Sequence, residues 1–393
     1  MSRIVAAVAL LALTGAACAG EGVRPASGVV TPAPTVAPAA APTTTATTAS
    51  TTTTTTAPVR VTLAFSGDLL SHSPVFSQAR RNGGGDLTHD YRPMFRLVRD
   101  TLSAADLAIC HLETPLSVDD TDLSGYPTFA APRELAVAIA DAGYDGCSTA
   151  SNHSYDRGPA GVTSTLDLLD AAGLGHAGMA RSADEAATPT LYDLDGITIG
   201  HLSWTYGLNG FVLPDDRPWL VDVTDPDAIL AEAAAARAAG ADFVVLSIQW
   251  GAEYRTDPTP DQEALARTLL GSPDLDLIVG SHAHVVQPLE EIDGEYVLYG
   301  LGNFLSNQSA NCCPARTQNG VVVRFTVEGT EDAGFAVTGI EAVPTRVDRS
   351  DYTILPLPRL LVTDLDPAVR EVYRAALEDT REILTRRGVD VGL

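Results

Sequence analysis

The fold class this sequence predicts is α/β, and three observations predict it. Apolar runs of strand length alternate with helix-length stretches through most of the chain. No linker-like stretch and no internal repeat interrupts residues 60 to 393, so this part reads as one large domain. With 45% apolar residues, a sizeable core can be filled.

The elements follow in order. Val61 to Phe65 is an apolar strand running into Ser66-Gly67-Asp68. A helix around Met94 to Ser103 leads to strand Leu107 to Cys110; helix Arg133 to Ala142 leads to a strand near Gly146 to Ser148; helix Thr163 to Ala172 precedes Gly175. Strand Ile197 to Ser203, Ala-rich helix Asp227 to Ala239, strand Phe243 to Ile248, helix Asp261 to Leu270 and strand Leu275 to Val279 continue the alternation. Then the order changes. Tyr296 to Tyr299, Gly320 to Val327 and Phe335 to Val343 are strands without helices between them, which predicts a second, mostly antiparallel sheet region. Asp366 to Arg387, opened by Asp366-Pro367, is an amphipathic closing helix. It belongs to a C-terminal extension, 346–393, expected to pack on the domain of 59–345.

The N-terminus predicts the compartment. Residues 1–19 read as an export signal: Arg3 is followed by the apolar run Ile4 to Leu13 and by small residues Gly15, Ala16 and Ala17. That run is shorter than the roughly 20 residues a membrane-spanning helix needs. Cys18 comes directly after the small residues, as in a bacterial lipobox, and is the expected lipidation site; cleavage at the A-x-A-like Ala17-Cys18-Ala19 is the other reading. Residues 20–58 are almost entirely Thr, Ala, Pro, Gly and Val, a composition with nothing to bury, so they are expected to be a disordered tether. Together these predict an extracytoplasmic, membrane-anchored lipoprotein, or a secreted protein if Cys18 is not lipidated.

Charge excludes several functions. There are 50 Asp and Glu against 25 basic residues, a formal net charge of -25, and every basic residue is Arg. Without lysine, Schiff-base chemistry and a P-loop are impossible. So acidic a chain is repelled by nucleic acid and by anionic lipid, which leaves a lipid anchor as the only membrane contact. A serine hydrolase is excluded too, because no G-x-S-x-G elbow occurs. Beyond Cys18, four cysteines remain. Cys110 and Cys147 lie in apolar runs and suit either a bridge or buried thiols, and Asn311-Cys312-Cys313-Pro314 reads as a surface insertion with a bridge.

Ligands of open α/β sheets bind at the carboxyl ends of strands. The polar residues there form a series: Asp68; His111-Leu112-Glu113; Ser151-Asn152-His153 with Asp156; Gln249-Trp250-Gly251; and His282-Ala283-His284. Carboxylates, an amide and imidazoles are the donors that hold divalent transition metals. Two histidines one residue apart can face the same side of an extended segment. Trp204 and Tyr206 suit either the floor of a substrate cleft or aromatic core packing.

These segments, with Leu112-Glu113-Thr114-Pro115-Leu116, Ser151 to Gly158, Gly280 to Val285 and Gly300-Leu301-Gly302-Asn303-Phe304, resemble the successive motifs of CapA-type proteins. That family is associated with capsule and poly-γ-glutamate synthesis and belongs to the calcineurin-like metallophosphoesterase superfamily. The resemblance implies a four-layer α/β/β/α sandwich with two divalent metal ions of the Mn, Zn or Fe kind. Asp68 and His284 would hold one ion, Asn152, His282 and Gln249 the other, with Glu113 bridging. His153, with Asp156, would supply acid catalysis, and His111 is a candidate substrate contact; Asn303, after a strand, suits either the substrate pocket or a turn. Two departures stand out. Leu70 replaces the histidine of the superfamily's Asp-x-His, leaving His72 or His111 as substitutes, and Gln249 replaces a histidine, a better donor to zinc-like ions. The implied function is a metal-dependent hydrolase acting on a phosphoester, poly-γ-glutamate or another envelope polymer, in contact with membrane synthesis machinery. The other reading is a non-catalytic accessory protein with a partly degraded site.

Overall fold

The computed structural model describes residues 57–392. The expected export signal over 1–19, Cys18, and nearly all of the expected tether lie outside the described residues. Among the described residues, no helix is long and apolar enough to cross a membrane.

The strands are β1 (Val59–Leu69), β2 (Leu107–Leu112), β3 (Gly146–Ser148), β4 (Gly175–Ala177), β5 (Thr190–Leu194), β6 (Ile197–Thr205), β7 (Phe243–Gln249), β8 (Leu277–Ser281), β9 (Leu289–Ile292), β10 (Glu295–Leu298), β11 (Asn303–Leu305), β12 (Asn319–Thr330), β13 (Gly334–Val347) and β14 (Ile354–Pro356). The helices are α1 (Ser73–Asn82), α2 (Arg92–Phe95), α3 (Arg99–Leu102), α4 (Glu134–Asp141), α5 (Gly158–Ala171), α6 (Ala183–Ala186), α7 (Pro226–Ala238), α8 (Pro260–Leu270), α9 (Leu357–Leu361) and α10 (Pro367–Thr385). Where one helix was expected over 94–103, α2 and α3 are separate turns. Between them Leu97 faces the cluster under α9 while Val98 faces the main core, so the chain bends to bury both.

Two sheets form. One runs β14-β13-β12-β1-β2-β3-β4, with β11 added beside β1. Its β1 to β4 are parallel, whereas β12 and β13 pair antiparallel. The other runs β5-β6-β7-β8-β10-β9 and is parallel from β6 to β10, with antiparallel edges. This corrects the expectation that the late strands make their own antiparallel sheet. They divide instead, β10 extending the second sheet and β12 and β13 joining β1. Strands are free to do this because two-residue side-chain alternation sets which face is buried but not which neighbour is paired.

That alternation builds the layers. Along β1, Val61, Leu63 and Phe65 face Phe243, Val245, Leu277 and Val279 of the second sheet, making the core between sheets. The intervening Ala64, with Ala108 and Cys110, faces α4 and α5 through Leu135, Ile139, Val162, Leu166 and Leu169. On β7 the intervening Val244, Leu246 and Ile248 meet α7 and α8 through Ile229, Ala233, Ala236, Ala266 and Leu269. The result is helix, sheet, sheet, helix, the expected four-layer sandwich. Truncating a fully buried ring such as Phe243 to alanine costs about 3–5 kcal/mol.

At the C-terminus, Ile383 and Leu384 of α10 enter the core between sheets, and Arg316 clamps Asp379 at 2.7 Å through both guanidinium arms. Cys110 and Cys147, in register on β2 and β3, form a disulfide. Cys312 and Cys313 are free thiols, contrary to the bridge expected there. Adjacent Cα atoms lie about 3.8 Å apart, closer than an unstrained disulfide tolerates, and the other two cysteines already bond each other.

Candidate metal centre

The carboxyl ends of the parallel strands meet at one edge. Parallel β1 and β2 are in register Asp68 with His111, and Glu113 follows two residues on. The register slips between Phe65 and Asp68. There the backbone of β1 comes so close to its neighbour that a Cβ on Gly67 would lie 1.8 Å from the Gly302 carbonyl oxygen. Only glycine fits, and the adjacent Asp68 amide donates to that carbonyl at 2.9 Å. Ligand atoms of Asp68, His111 and Glu113 all fall within 4.8 Å of one another.

After β8, His282 and His284 both take left-handed backbone, with φ of 91° and 56°. Such conformations cost a non-glycine residue about 1–3 kcal/mol and cluster at functional sites. They bring the two rings to 6.0 Å between centroids. The sequence suggested an extended segment instead; strained turns do the work. His284 Nδ1 donates to Asp68 Oδ2 at 2.8 Å and approaches Asn303 Oδ1 at 3.1 Å, while its Nε2 faces Glu113 Oε1 at 3.9 Å.

These groups are buried and under-satisfied. Asp68 and Glu113 are 0% exposed. Asp68 Oδ1, both Glu113 carboxylate oxygens, His111 Nε2 and His282 Nδ1 have no hydrogen-bond partner. Burying carboxylate oxygens without a partner costs several kcal/mol each unless a cation compensates. Electrostatics agree. Burial pushes the Glu113 carboxyl well above the usual range, opposed by His284 and reinforced by Asp68, Glu253 and Asp156. Burial also works against a charged His284, but Glu113 and the Asp68 hydrogen bond prevail and hold it at about 9. His111 is pushed down to about 4 and His282 to about 3, chiefly by burial, so both imidazoles are neutral and available as donors. The neutral imidazoles of His111 and His282, set beside the unpaired oxygens of Asp68 and Glu113, are a donor set that fits a divalent transition metal.

Several side chains take places other than those expected. His111 was a candidate substrate contact; the structure buries it, with Nδ1 fixed by Ser148 Oγ at 2.9 Å and Nε2 among the metal donors, where it can replace the histidine missing at Leu70. Asn303, also a candidate for the substrate pocket, is fully buried and donates to the Thr317 carbonyl at 2.8 Å while its oxygen orients His284. Gln249 was expected to ligate. Its Oε1 instead accepts from the Asn152 amide at 2.6 Å and from Thr205 Oγ1 at 2.8 Å, which uses both lone pairs. Its Nε2 donates to Ser151 Oγ at 3.2 Å and Asn152 Oδ1 at 3.1 Å. Asn152 Oδ1 therefore accepts from Gln249 and, at 3.2 Å, from Ser151 Oγ. Of the second expected donor set, His282 Nδ1 alone is unpartnered, under the Tyr206 ring at 4.4 Å between centroids. Trp204 packs in the core and bonds Glu232 at 2.6 Å.

A cleft of ≈ 400 Å³ opens beside the cluster, lined by His72, His153, Glu253, Tyr254, His284, Asn307 and Cys313 among others. His153 Nδ1 bonds Asp156 Oδ2 at 2.8 Å, and that oxygen also accepts the Phe129 amide at 2.7 Å. Asp156 thus fixes the ring, whose Nε2 has the Asn209 side-chain amide 3.4 Å away. Sequence reasoning missed Arg349. Its Nη2 donates to Asn307 Oδ1 at 2.7 Å on the cleft wall, and its Nε and Nη1 are buried without partners. Nothing in its local sequence signals this, since it follows β13 far from every motif.

Comparison with known proteins agrees with these motifs. The chain is 26% identical over 331 residues to the capsule biosynthesis protein CapA of Bacillus anthracis, covering 82% of this chain and 74% of that protein. It is 26% identical over 311 residues to the PGA biosynthesis protein CapA of Bacillus subtilis, covering 77% of this chain and 78% of that one. Solved structures similar to it include the calcineurin-like phosphoesterase YfkN of Bacillus subtilis, with TM-score 0.45, 12% identity, 82% of this chain and 98% of that one. Another is a putative 5'-nucleotidase of Staphylococcus aureus, with TM-score 0.46, 13% identity and 81% of this chain; the match spans 58% of that longer chain. A family model described as bacterial capsule synthesis protein PGA_cap matches residues 62–308, a stretch that holds the whole cluster from Asp68 to Asn303, and the chain belongs to that family.

Proposed function

We propose that this chain is a metal-dependent hydrolase of the cell surface, anchored through Cys18, that cleaves poly-γ-glutamate or another anionic envelope polymer. The observation that supports this most is the set of unpartnered, buried donors on Asp68, His111 and Glu113 beside a cleft that carries His153. A divalent ion bound there supplies Lewis-acid polarisation and acidifies water at neutral pH. Asp68 Oδ1, His111 Nε2, Glu113 and His284 Nε2 are the groups that would hold it. Asn152 and Gln249, tied to each other, would leave a second metal position short of donors, so a single ion at the Asp68 cluster would suffice.

The chain's own residues do the rest. Water adds across the scissile bond, and His153 Nε2 delivers the proton to the leaving nitrogen or oxygen. Asp156 keeps the ring in the orientation that this needs. Arg349, bonded to Asn307 of the cleft wall, places a positive charge behind the cleft in a chain with no lysine. A second reading, an accessory protein without turnover, is favoured by the occupied Oε1 of Gln249. The test incubates purified protein with Mn²⁺ or Zn²⁺ and either poly-γ-glutamate or a generic phosphodiester. Turnover that drops at least about 100-fold in Asp68→Asn supports the enzyme. No cleavage of either substrate by metal-loaded protein transfers the case to the accessory reading.

A further inference from the structure

A second cluster lies outside this site, built from three separate segments. His89 sits in the loop between α1 and α2, Asp120 in the loop after β2, and Glu134 at the first position of α4. Ligand atoms of the three fall within 4.8 Å of one another. His89 and Glu134 are 2% and 7% exposed. His89 Nδ1 lies 3.5 Å from Glu134 Oε2 and 3.7 Å from Asp120 Oδ2, too far for good hydrogen bonds. His89 Nδ1 and Glu134 Oε2 are both buried without a partner.

The carboxylates are aimed. Glu134 Oε1 accepts the amides of Thr88 and His89 at 3.2 and 3.4 Å, which turns Oε2 toward the imidazole. Asp120 Oδ1 accepts the Arg133 amide at 3.0 Å, which turns Oδ2 the same way. One oxygen of each is thus held by backbone while the other faces a common point, the outer-shell arrangement that orients metal ligands. Three donors about 2.1 Å from a tetrahedral ion are spaced about 3.4 Å apart, close to the 3.5 and 3.7 Å observed. Two carboxylates balance a divalent charge; Arg133 Nε, 3.7 Å from Asp120 Oδ2 on a half-exposed side chain, offsets only part of it. One imidazole with two carboxylates suits Zn²⁺ or Mn²⁺ rather than Ca²⁺, which takes six to eight oxygens.

We propose that His89, Asp120 and Glu134 form a structural site for a divalent transition ion, Zn²⁺ foremost, separate from the Asp68 cluster. The ion staples the loop after β2 to α4. That loop carries Phe129, whose ring packs edge-on against His153 at 4.7 Å, so the staple also steadies the cleft wall. The competing account of the same geometry is a proton shared by the two carboxyl groups, which needs no metal.

The test uses purified Asp68→Ala protein, in which the first cluster is disabled, stripped with a chelator and titrated with Zn²⁺ alone. About one equivalent binds, with a rise in melting temperature, and His89→Gln in that background loses both. Glu134→Gln, which can still accept the Thr88 and His89 amides, weakens binding at least tenfold. Binding of no Zn²⁺ by folded Asp68→Ala overturns the site, as does full retention in folded His89→Gln and Glu134→Gln. Should either second substitution prevent folding, Asp120→Asn in the same background takes its place: loss of the bound Zn²⁺ supports the site and full retention refutes it.

Discussion

Replacing Gln249 by leucine distinguishes a structural amide from a metal ligand. Gln249 is 0% exposed and makes four hydrogen bonds, two through each end of its amide. Leucine removes all of them and leaves the Asn152 amide without an acceptor, the Thr205 hydroxyl with only the Gly207 carbonyl at 3.3 Å, and Asn152 Oδ1 with one donor fewer. Each buried polar group left unpaired costs about 1–3 kcal/mol. With the Asn152 amide orphaned and the bonds of Thr205 Oγ1 and Asn152 Oδ1 weakened, the loss is about 3–5 kcal/mol. For a chain of this size each kcal/mol moves the melting temperature by about 2 °C or less, so the midpoint falls by roughly 5–8 °C. Calorimetry measures that fall, and elemental analysis of the same sample measures metal. The account expects the melting loss with metal at the Asp68 cluster retained. Loss of an equivalent of metal from protein whose melting temperature has not moved refutes the reasoning and makes Gln249 a ligand.

Three further outcomes follow from particular residues. Arg349→Ala raises KM for an anionic polymer more than it lowers kcat, because it removes a positive charge and the Asn307 bond from behind the cleft wall; an unchanged KM counts against it. Burial pushes the Glu232 carboxyl up to about 7, against the Trp204 hydrogen bond. A raised carboxyl stabilises the fold fully below its ordinary value near 4.5 and loses that contribution as pH rises through 7. Between pH 5.5 and 8 wild type therefore loses more stability than Glu232→Gln, and parallel curves contradict this. Thiol titration of native protein modifies Cys312 fastest and leaves Cys110 and Cys147 unreactive; labelling of Cys110 without reductant contradicts the disulfide.

Much of the centre was legible because its donors come straight after apolar strands, where parallel sheets present ligand-binding residues. Asp68, Glu113, His282 and His284 are read this way, and so is the His153 with Asp156 pairing, three residues apart. What the sequence concealed depends on distant chain. Gln249 has the right position for a ligand, but Thr205 and Asn152 engage its oxygen, and neither is near it in sequence. His111 joins the groups that could hold a metal because the register of two strands sets it beside Asp68. The pairing of β12 with β1 spans most of the domain, and alternation within either strand is the same whichever partner it meets. His89, Asp120 and Glu134 sit in three separate loops and helix starts with no common spacing.

Anomalous X-ray diffraction from crystals soaked in Mn²⁺ or Zn²⁺ tests the central claim most directly. The account predicts a peak within about 2.3 Å of Asp68 Oδ1, His111 Nε2 and a Glu113 oxygen, with Gln249 still bonded to Asn152 and Thr205. A saturated crystal with no peak at that position, or with its strongest peak on the Gln249 oxygen, contradicts it.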